Sequence, residues 1–223
     1  MKYLRRLLFP LALLAALTMA FTGCGKGGPD VPDTEETQSI NEDGTQEFSV
    51  LMEDFSELAN IDDNAYVRTS DSAAALNKVL GSGETGVIRL KTSAADGISV
   101  PAGDYTGSTV VLNAPNAAAV CAGNMGDLIV EALGEEGLTL QGSVKNLAVT
   151  GENITVTLEG GAEHVYVQGK NCTLRLTGGT FGSIVSVNAT AVIENATDSV
   201  VTVYSANGAP QTLQAGETLN FSE

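Results

Sequence analysis

The spacing of apolar residues changes along the chain from a helical period to a period of two. In the segment Phe48–Leu58, apolar residues recur every three or four positions, with acidic residues off that face. This spacing predicts a short amphipathic helix that docks on the rest of the domain. A partner-binding helix is the alternative interpretation of the same face.

A second helix is predicted from about Ser72 to Leu80. Ser70 or Asp71 can cap its start, and Gly81 can end it.

From Val87 onward, apolar residues alternate with polar or small ones, which predicts short β-strands bounded by Gly, Asn and Pro. The segment between Gly107 and Tyr204 contains no helical pattern of useful length. The alternating pairs are Ile88 and Leu90, Ile98 and Val100, Val110 and Leu112, and Leu128 and Val130.

The strands belong to a repeat of 18 residues. The segment Thr150–Gly161 aligns with Gln168–Gly179, and the upstream segment Leu140–Gly142 fits the same register. The repeat continues downstream with two extra residues around Thr180–Gly182. The positions of the first copy that are identical in the second are Gly151, Asn153, Thr155, Leu158, Gly160 and Gly161.

Two short strands per repeat predict a solenoid, because stacked coils let each strand pair with its copy above and below. Stacking places inward residues in columns, leaves threonines outside and sets Asn153 beside Asn171 at a corner. The predicted inward columns are Leu147/Val165/Val185, Val149/Val167/Val187, Val156/Leu174 and Leu158/Leu176, and the outward pairs are Thr155/Thr173 and Thr157/Arg175.

We therefore expect an all-β, single-domain parallel β-solenoid of about 18 residues per coil, preceded by one or two short capping helices. The preference for right-handed crossovers favours a right-handed β-helix. The aliphatic spacing of a left-handed hexapeptide coil is not kept, and the turns lack the Asp of a calcium β-roll. The segment Val200–Phe221 predicts a closing hairpin with an Asn207-Gly208 turn.

The coil pattern resembles that of pectin-lyase-like, right-handed β-helix proteins over roughly residues 70–204. The similar stretches are Gly86–Leu90 and Ile98–Tyr105, which follow a predicted capping helix. In that family, polysaccharide lyases use an Arg or Lys base beside acidic calcium ligands on one outer face. The resemblance therefore implies a search for such a cluster among Lys145, Lys170 and Arg175, with Glu131, Glu152, Glu159 and Glu163 nearby.

The N-terminus has the pattern of a secretory signal, with positive charge in Met1–Arg6 and an apolar run over Leu7–Phe21. The sequence Phe21-Thr22-Gly23-Cys24 resembles the bacterial lipobox, with Phe21 where Leu is usual. We expect cleavage before Cys24 and lipidation of this residue. An ordinary signal peptide cut before a free Cys is the alternative.

The predicted organisation is a signal peptide at 1–23, an acidic disordered linker at 24–47, capping helices at 48–86 and the solenoid at 87–223. The chain has 27 acidic and 11 basic residues, and Lys2, Arg5 and Arg6 leave with the signal, so the mature net charge is 8 − 27 = −19. Such a charge excludes nucleic acid as a partner and argues against tight binding of polyanions without a bridging cation.

Two further cysteines, Cys121 and Cys172, fall about three coils apart, which is roughly 14 Å. A disulfide needs Cα atoms within about 7 Å. Both are therefore predicted to be free thiols in the core.

Four side chains are candidates for contact with a sugar: Lys145, His164, Tyr166 and Arg175. His164 is the only histidine of the chain, and His164 and Tyr166 are expected to face outward from one strand. A simple polar outer face is the alternative, and a solvated surface is the expectation for the charged residues. We predict no catalytic residue, metal ligand or cofactor.

The sequence thus predicts a surface-exposed, non-catalytic β-helix module for glycan or protein contact, or for envelope structure. Its partners are a membrane through the lipid anchor and a polysaccharide or a surface protein. It is expected outside the cytoplasm on the cell membrane, or on the outer membrane of a two-membrane cell. Alternatives are a polysaccharide lyase or glycoside hydrolase and a subunit whose 48–58 helix recruits a partner.

Overall fold

The computed structural model describes residues 45–61, 67–187 and 190–222. The predicted signal peptide, Cys24 and nearly all of the acidic linker lie outside these residues, so the predictions of cleavage and lipidation stay predictions.

In the described part of the chain, one strand lies between two helices, and all other strands follow the second helix. Helix α1 spans Thr45–Ala59 and helix α2 spans Ala73–Gly81. The strands are β1 (Val67–Ser70), β2 (Gly86–Lys91), β3 (Ile98–Val100), β4 (Asp104–Ala114), β5 (Ala119–Cys121), β6 (Asn124–Leu133), β7 (Leu138–Leu140), β8 (Ser143–Val149), β9 (Thr155–Leu158), β10 (Gly161–Val167), β11 (Cys172–Leu176), β12 (Phe181–Ser186), β13 (Ala191–Asn195), β14 (Val201–Tyr204), β15 (Pro210–Leu213) and β16 (Thr218–Phe221).

The strands form two facing sheets, as expected for a solenoid with two strands per coil. Sheet A has the order β1-β2-β4-β6-β8-β10-β12-β14-β15, and sheet B has the order β16-β13-β11-β9-β7-β5-β3. Neighbouring strands are parallel except where β15 pairs with β14 and β16 pairs with β13. The predicted parallel β-solenoid is confirmed, with about seven turns wound like those of a right-handed β-helix.

The core consists of inward columns that run along the solenoid axis. Leu147 lies beside Val165, and Leu158 lies between Leu140 and Leu176, as predicted from the 18-residue repeat. These side chains are fully buried. Thr157 and Arg175 pair on the outside of sheet B, which also agrees with the prediction.

The predicted corner ladder of Asn153 and Asn171 is present. Both residues adopt left-handed backbone conformations, with φ of +57° and +55°, which Asn tolerates better than most residues. The Asn171 side-chain amide donates to the Asn153 side-chain oxygen at 3.3 Å. Identical side chains thus support the same turn in successive coils.

The predicted register downstream of β10 is wrong by one residue. Val165 pairs with Ile184 and Tyr166 with Val185, so one extra residue is inserted rather than two. Val185 and Val187 therefore face outward instead of inward. The sequence misleads here because the inward, buried Ser186 is polar, whereas the outward Val185 and Val187 are apolar and covered by α1.

Helix α2 closes the first coil, as a capping helix should. Its N-cap is Ser72, whose side chain accepts a hydrogen bond from the Ala75 amide at 3.3 Å, and not Ser70 or Asp71. Ser70 cannot serve because it is the buried last residue of strand β1. Leu76 and Leu80 fill the end of the solenoid core.

Helix α1 lies along the outer face of sheet A. Leu51, Phe55 and Leu58 are the buried residues of its apolar side, and they pack against outward residues of the sheet. The predicted docking of this helix on its own domain is confirmed.

The C-terminal segment forms the predicted hairpin between β14 and β15, with Gly208 at φ +79° in the turn. Strand β16 adds an antiparallel partner to β13 at the end of sheet B. Leu213 is buried at the end of the core. The hairpin and β16 therefore occupy both sheet edges at this end.

Cys121 and Cys172 are free and buried, as predicted. Burial raises the pKa of the Cys121 thiol to about 12, so this thiol stays neutral and unreactive at physiological pH.

The inward and outward positions of strand β9 predict different costs of truncation. Leu158→Ala should lower the free energy of unfolding by about 2–5 kcal/mol, because it leaves a cavity between Leu140 and Leu176. Thr157→Ala, one residue away on the outer face, should change it by about 0.5 kcal/mol or less. Urea unfolding followed by circular dichroism measures both, and equal losses would contradict the assignment of faces.

Candidate functional site

The outer face of sheet A carries an apolar column that runs across six coils. Each member pairs in register with the next, from Val111 in β4 to Tyr204 in β14. An apolar column on an outer face needs a cover, and α1 provides it. The members are Val111, Ile129, Ala148, Tyr166, Val185 and Tyr204.

A polar column runs beside the apolar one, two residues earlier in each strand. It consists of Thr109, Asp127, Asn146, His164 and Ser183, which also pair in register. The Asp127 carboxylate accepts from the Thr109 hydroxyl at 3.0 Å and from the Asn146 amide at 2.9 Å. Thr109, Asp127 and Asn146 thus form a hydrogen-bonded ladder on this face.

The start of α1 is fastened to the same face through Glu47. The Ser183 hydroxyl donates to the Glu47 carboxylate at 3.2 Å, and the Tyr204 hydroxyl is a second donor to it. Burial and the nearby Glu47 charge raise the pKa of Tyr204 to about 12. The hydrogen bond from Tyr204 to Glu47, which helps to hold α1 on the sheet, therefore requires the neutral form of Tyr204.

Tyr166 lies beneath α1 and is fully buried. Its ring centroid is 5.4 Å from that of Phe55 and 6.4 Å from that of His164. Burial raises the pKa of the Tyr166 hydroxyl well above its ordinary value, and the carboxylates of Asp54, Glu163 and Asp127 add to the rise. Tyr166 faces away from the solenoid core, as predicted, but α1 separates it from solvent.

A groove of about 640 Å³ lies at the corner where the chain passes from sheet B into sheet A. Met125, Val144 and Ala162 pair in register along its floor, and Phe181 continues the row in the next coil. Three coil spacings correspond to roughly 14 Å, so the groove follows the solenoid axis. Its shape fits an extended chain better than a compact molecule.

Glycines in the turns create this groove. A Cβ at Gly160 would lie 2.0 Å from the Gly142 carbonyl oxygen, so a larger residue would push two coils apart. Gly179 combines an even closer approach, 1.5 Å between a Cβ and the Gly160 carbonyl oxygen, with φ +81°, which favours glycine. At these glycines, one wall of the groove therefore consists of main-chain atoms without side chains.

Charged and polar residues stand at the edge of the groove. Lys145 and Glu163 occupy matching positions on successive coils, since their neighbours on both sides pair in register. The Glu163 carboxylate lies 3.9 Å from the His164 Nε2 atom, and the Glu163 side chain is well exposed. Lys145 and Glu163 thus offer a donor and an acceptor beside one groove, and His164 lies next to Glu163.

Arg175 lies on the other side of the solenoid. It extends from the outer face of sheet B, where its Nε donates to the Glu194 carboxylate at 3.0 Å. The outer column of sheet B around it consists mainly of hydroxyl side chains, with Val120 partly exposed. A single ligand site cannot combine Arg175 with Lys145 and His164.

The structure thus brings two of the four predicted contact residues together, Lys145 and His164. Tyr166 is near them but covered, and Arg175 is on the opposite sheet. The polar column around Asp127 and Asn146 was not anticipated. Its signal is present in the sequence, because Asp127, Asn146 and His164 are separated by 19 and 18 residues, the length of one coil.

Among the described residues, neither helix is both long and apolar enough to cross a bilayer. Within the same ranges, no three His, Cys, Asp or Glu side chains are arranged to hold a metal ion.

No family model, no curated protein and no solved structure matches the chain. The resemblance to pectin-lyase-like proteins is therefore a likeness of coil pattern alone.

The contact between Tyr204 and Glu47 predicts a stability change at alkaline pH. A tyrosine pKa that is raised in the folded state adds stability below the unfolded value of about 10, and this stability is lost as the pH rises towards 12. We expect near-ultraviolet titration to show late ionisation of Tyr204 and Tyr166, of which the Tyr204 contribution is lost in Tyr204→Phe. Ionisation of Tyr204 at its ordinary pH in the folded protein would contradict the contact.

Proposed function

We propose that this protein is a non-catalytic, membrane-anchored module on the cell surface that binds an extended, uncharged glycan chain along the corner groove. The single observation that carries the proposal is the groove itself. It runs across four coils, has a floor of small and apolar residues, and has Lys145 and Glu163 at its edge. Predominantly apolar walls with a few placed polar groups are typical of ligand sites.

The geometry of the groove supports a polymer as the ligand. The coils repeat every 4.8 Å or so, which presents similar backbone and side-chain groups at regular intervals along the axis. A chain of sugar units could contact successive coils in the same manner. The lipid on Cys24, predicted from sequence, would keep such a module near the envelope.

The charge of the protein supports an uncharged glycan over an acidic one. The full chain has a formal net charge of −16, and loss of the predicted signal makes it −19. Long-range repulsion would slow the approach of a polyanion and weaken its binding. A neutral polysaccharide meets no such barrier, and its hydroxyl groups can pair with both Lys145 and Glu163.

A non-catalytic role is supported by where the cationic candidates lie. The Arg175 guanidinium pairs with Glu194 on sheet B, whereas Lys145 and Glu163 adjoin each other on the opposite side of the solenoid. The two cationic candidates therefore lie on opposite sides of the solenoid and cannot act on one substrate bond.

Recruitment of a partner by the apolar side of α1 has less support. Leu51, Phe55 and Leu58 are already buried against sheet A, so a partner would have to displace them. A glycan in the corner groove requires no such displacement.

Affinity gel electrophoresis against neutral and acidic polysaccharides tests the proposal on the soluble protein that begins at residue 25. We expect retardation by at least one neutral polysaccharide. Lys145→Ala should weaken it about tenfold, because a hydrogen bond from a charged group is lost. Arg175→Ala is the matched variant, since it removes one exposed cation from the opposite sheet, and it should leave retardation unchanged.

A second pair of variants tests the groove by its shape. Thr180→Trp places a large ring in the groove wall and should abolish retardation, whereas Val120→Trp places the same ring on the outer face of sheet B and should not. If only Arg175→Ala or Val120→Trp weakened retardation, the glycan would contact the outer face of sheet B and not the groove. Release of sugar products would contradict a non-catalytic role.

A further inference from the structure

At the end of the solenoid that α2 closes, the two sheets have different edges. Strand β3 is the last strand of sheet B, and the Asn77 side chain of α2 donates to the Ser99 carbonyl oxygen at 2.7 Å. Strand β1 is the last strand of sheet A, and within the described residues β2 is its single strand partner. In this part of the chain, α2 therefore bonds the edge of sheet B and not that of sheet A.

The hydrogen-bond register shows which backbone groups of β1 point away from its neighbour. The Thr92 amide donates to the Asn113 carbonyl oxygen, so Asn113 bonds the residues on either side of its partner Lys91. Bonding alternates along parallel strands, so Lys91 and Arg89 direct their backbone groups towards β1. Arg89 then bonds the neighbours of its own partner, Thr69. The N–H and C=O groups of Thr69 consequently point outward from the edge of the sheet.

A groove of about 590 Å³ lies between this edge and α2. The edge strand is four residues long, which corresponds to roughly 13 Å. The helix contributes positions i, i+3, i+4 and i+7, which lie on one face of a helix, so this face of α2 borders the groove. The groove therefore has the place and the length of one more short strand. The residues of the helix that line it are Ala75, Lys78, Val79 and Ser82.

The side chains that line the groove combine an apolar surface with one unpaired cation. Ala75 and Val79 are half-buried and lie one helical turn apart. Arg68 forms an ion pair with Glu84, so these two charges balance each other. Lys78 is exposed and has no ion-pair partner among the described residues. In a chain with a net charge of −16, this groove thus has a local excess of one positive charge.

We propose that the groove between β1 and α2 binds an extended peptide of a partner protein, which adds to sheet A as a further strand. The outward N–H and C=O groups of Thr69 bond the peptide backbone, as in other cases of strand addition to an open sheet edge. The site shares no lining residue with the corner groove and does not depend on glycan binding there.

The walls of the groove define the sequence of the peptide. An aliphatic side chain packs against Ala75 and Val79, and a carboxylate pairs with Lys78. Residues i and i+2 of a strand share a face, so one residue separates the aliphatic residue from the acidic one. A single carboxylate suits the site better than a run of acids, because the net charge of the whole protein repels polyanions.

The test is an NMR titration of the soluble protein from residue 25 with the acetylated and amidated peptide Thr-Val-Thr-Glu-Thr. We expect saturable shifts of the amide signals of β1 and α2, and slower hydrogen exchange of the Thr69 amide, which gains an acceptor. The peptide Thr-Val-Glu-Thr-Thr has the same composition but presents Val and Glu on opposite faces. It should bind about threefold more weakly, because the contact with Lys78 is lost.

Variants of the edge and of the charge test the same site. Thr69→Pro removes an outward N–H and no bond to β2, so it should fold and abolish peptide binding. Lys78→Ala should weaken binding about threefold. Lys91→Ala is its matched control, since it removes an exposed lysine that does not line the groove, and it should leave binding unchanged.

A second pair of variants tests the space between β1 and α2. Ala75→Trp fills the groove and should abolish binding, whereas Ala74→Trp places the same ring on an exposed neighbouring position and should not. Circular dichroism confirms that each variant folds. Equal affinity for the two peptides, or unchanged affinity in Ala75→Trp and Lys78→Ala, would overturn the proposal. A concentration-dependent shift of the Thr69 amide without peptide would show that a second copy of the chain occupies the edge, and would overturn a partner peptide.

Discussion

The stacking of parallel coils is the constraint on which the rest of this protein depends. Strands as short as three residues, such as β3 and β5, can satisfy their backbone groups only through the coils above and below. Pairing therefore fixes the register, and the register places every side chain in a column. Core, turns and surface sites are all consequences of these columns.

The two sheets use their outer faces differently. Sheet B exposes mostly hydroxyl and charged side chains, which water can solvate. Sheet A presents an apolar column, and the chain covers it with its own helix α1, fastened at Glu47. The cover leaves the corner groove open but encloses Tyr166 and part of the polar column. Side chains beneath α1 are thus screened from a ligand, whereas side chains beyond the helix can contact a ligand directly.

Much of the fold could be predicted from the sequence, because residues that stack in successive coils recur at a regular interval along the chain. Gly151 and Gly169, or Leu158 and Leu176, match because they occupy the same place in successive coils. The prediction failed at Val185 because alternation identifies the inward face only when the outer residues are polar, whereas Val185 lies outward beneath α1 and the inward Ser186 is polar. Ser72 was missed as the helix cap because three neighbouring polar residues offered equivalent side chains.

The surface sites could be predicted only in part, for a related reason. The repeat states which residues face outward, but not what lies over them, so Tyr166 was expected to be accessible. The repeat alone also does not show which outward residues lie on the same sheet. That requires each strand to be assigned to sheet A or to sheet B. Arg175 was therefore grouped with Lys145 and His164, although its strand β11 belongs to sheet B. The ladder of Asp127, Asn146 and His164 becomes apparent when polar positions are read with the coil period.

The most direct test of this account is backbone hydrogen exchange with and without a neutral polysaccharide. We expect slower exchange at the turns beside the groove, Gly160–Glu163 and Gly179–Gly182, with no change in α1. Slower exchange confined to α1 or to the strands of sheet B, or no change with any neutral polysaccharide, would contradict it.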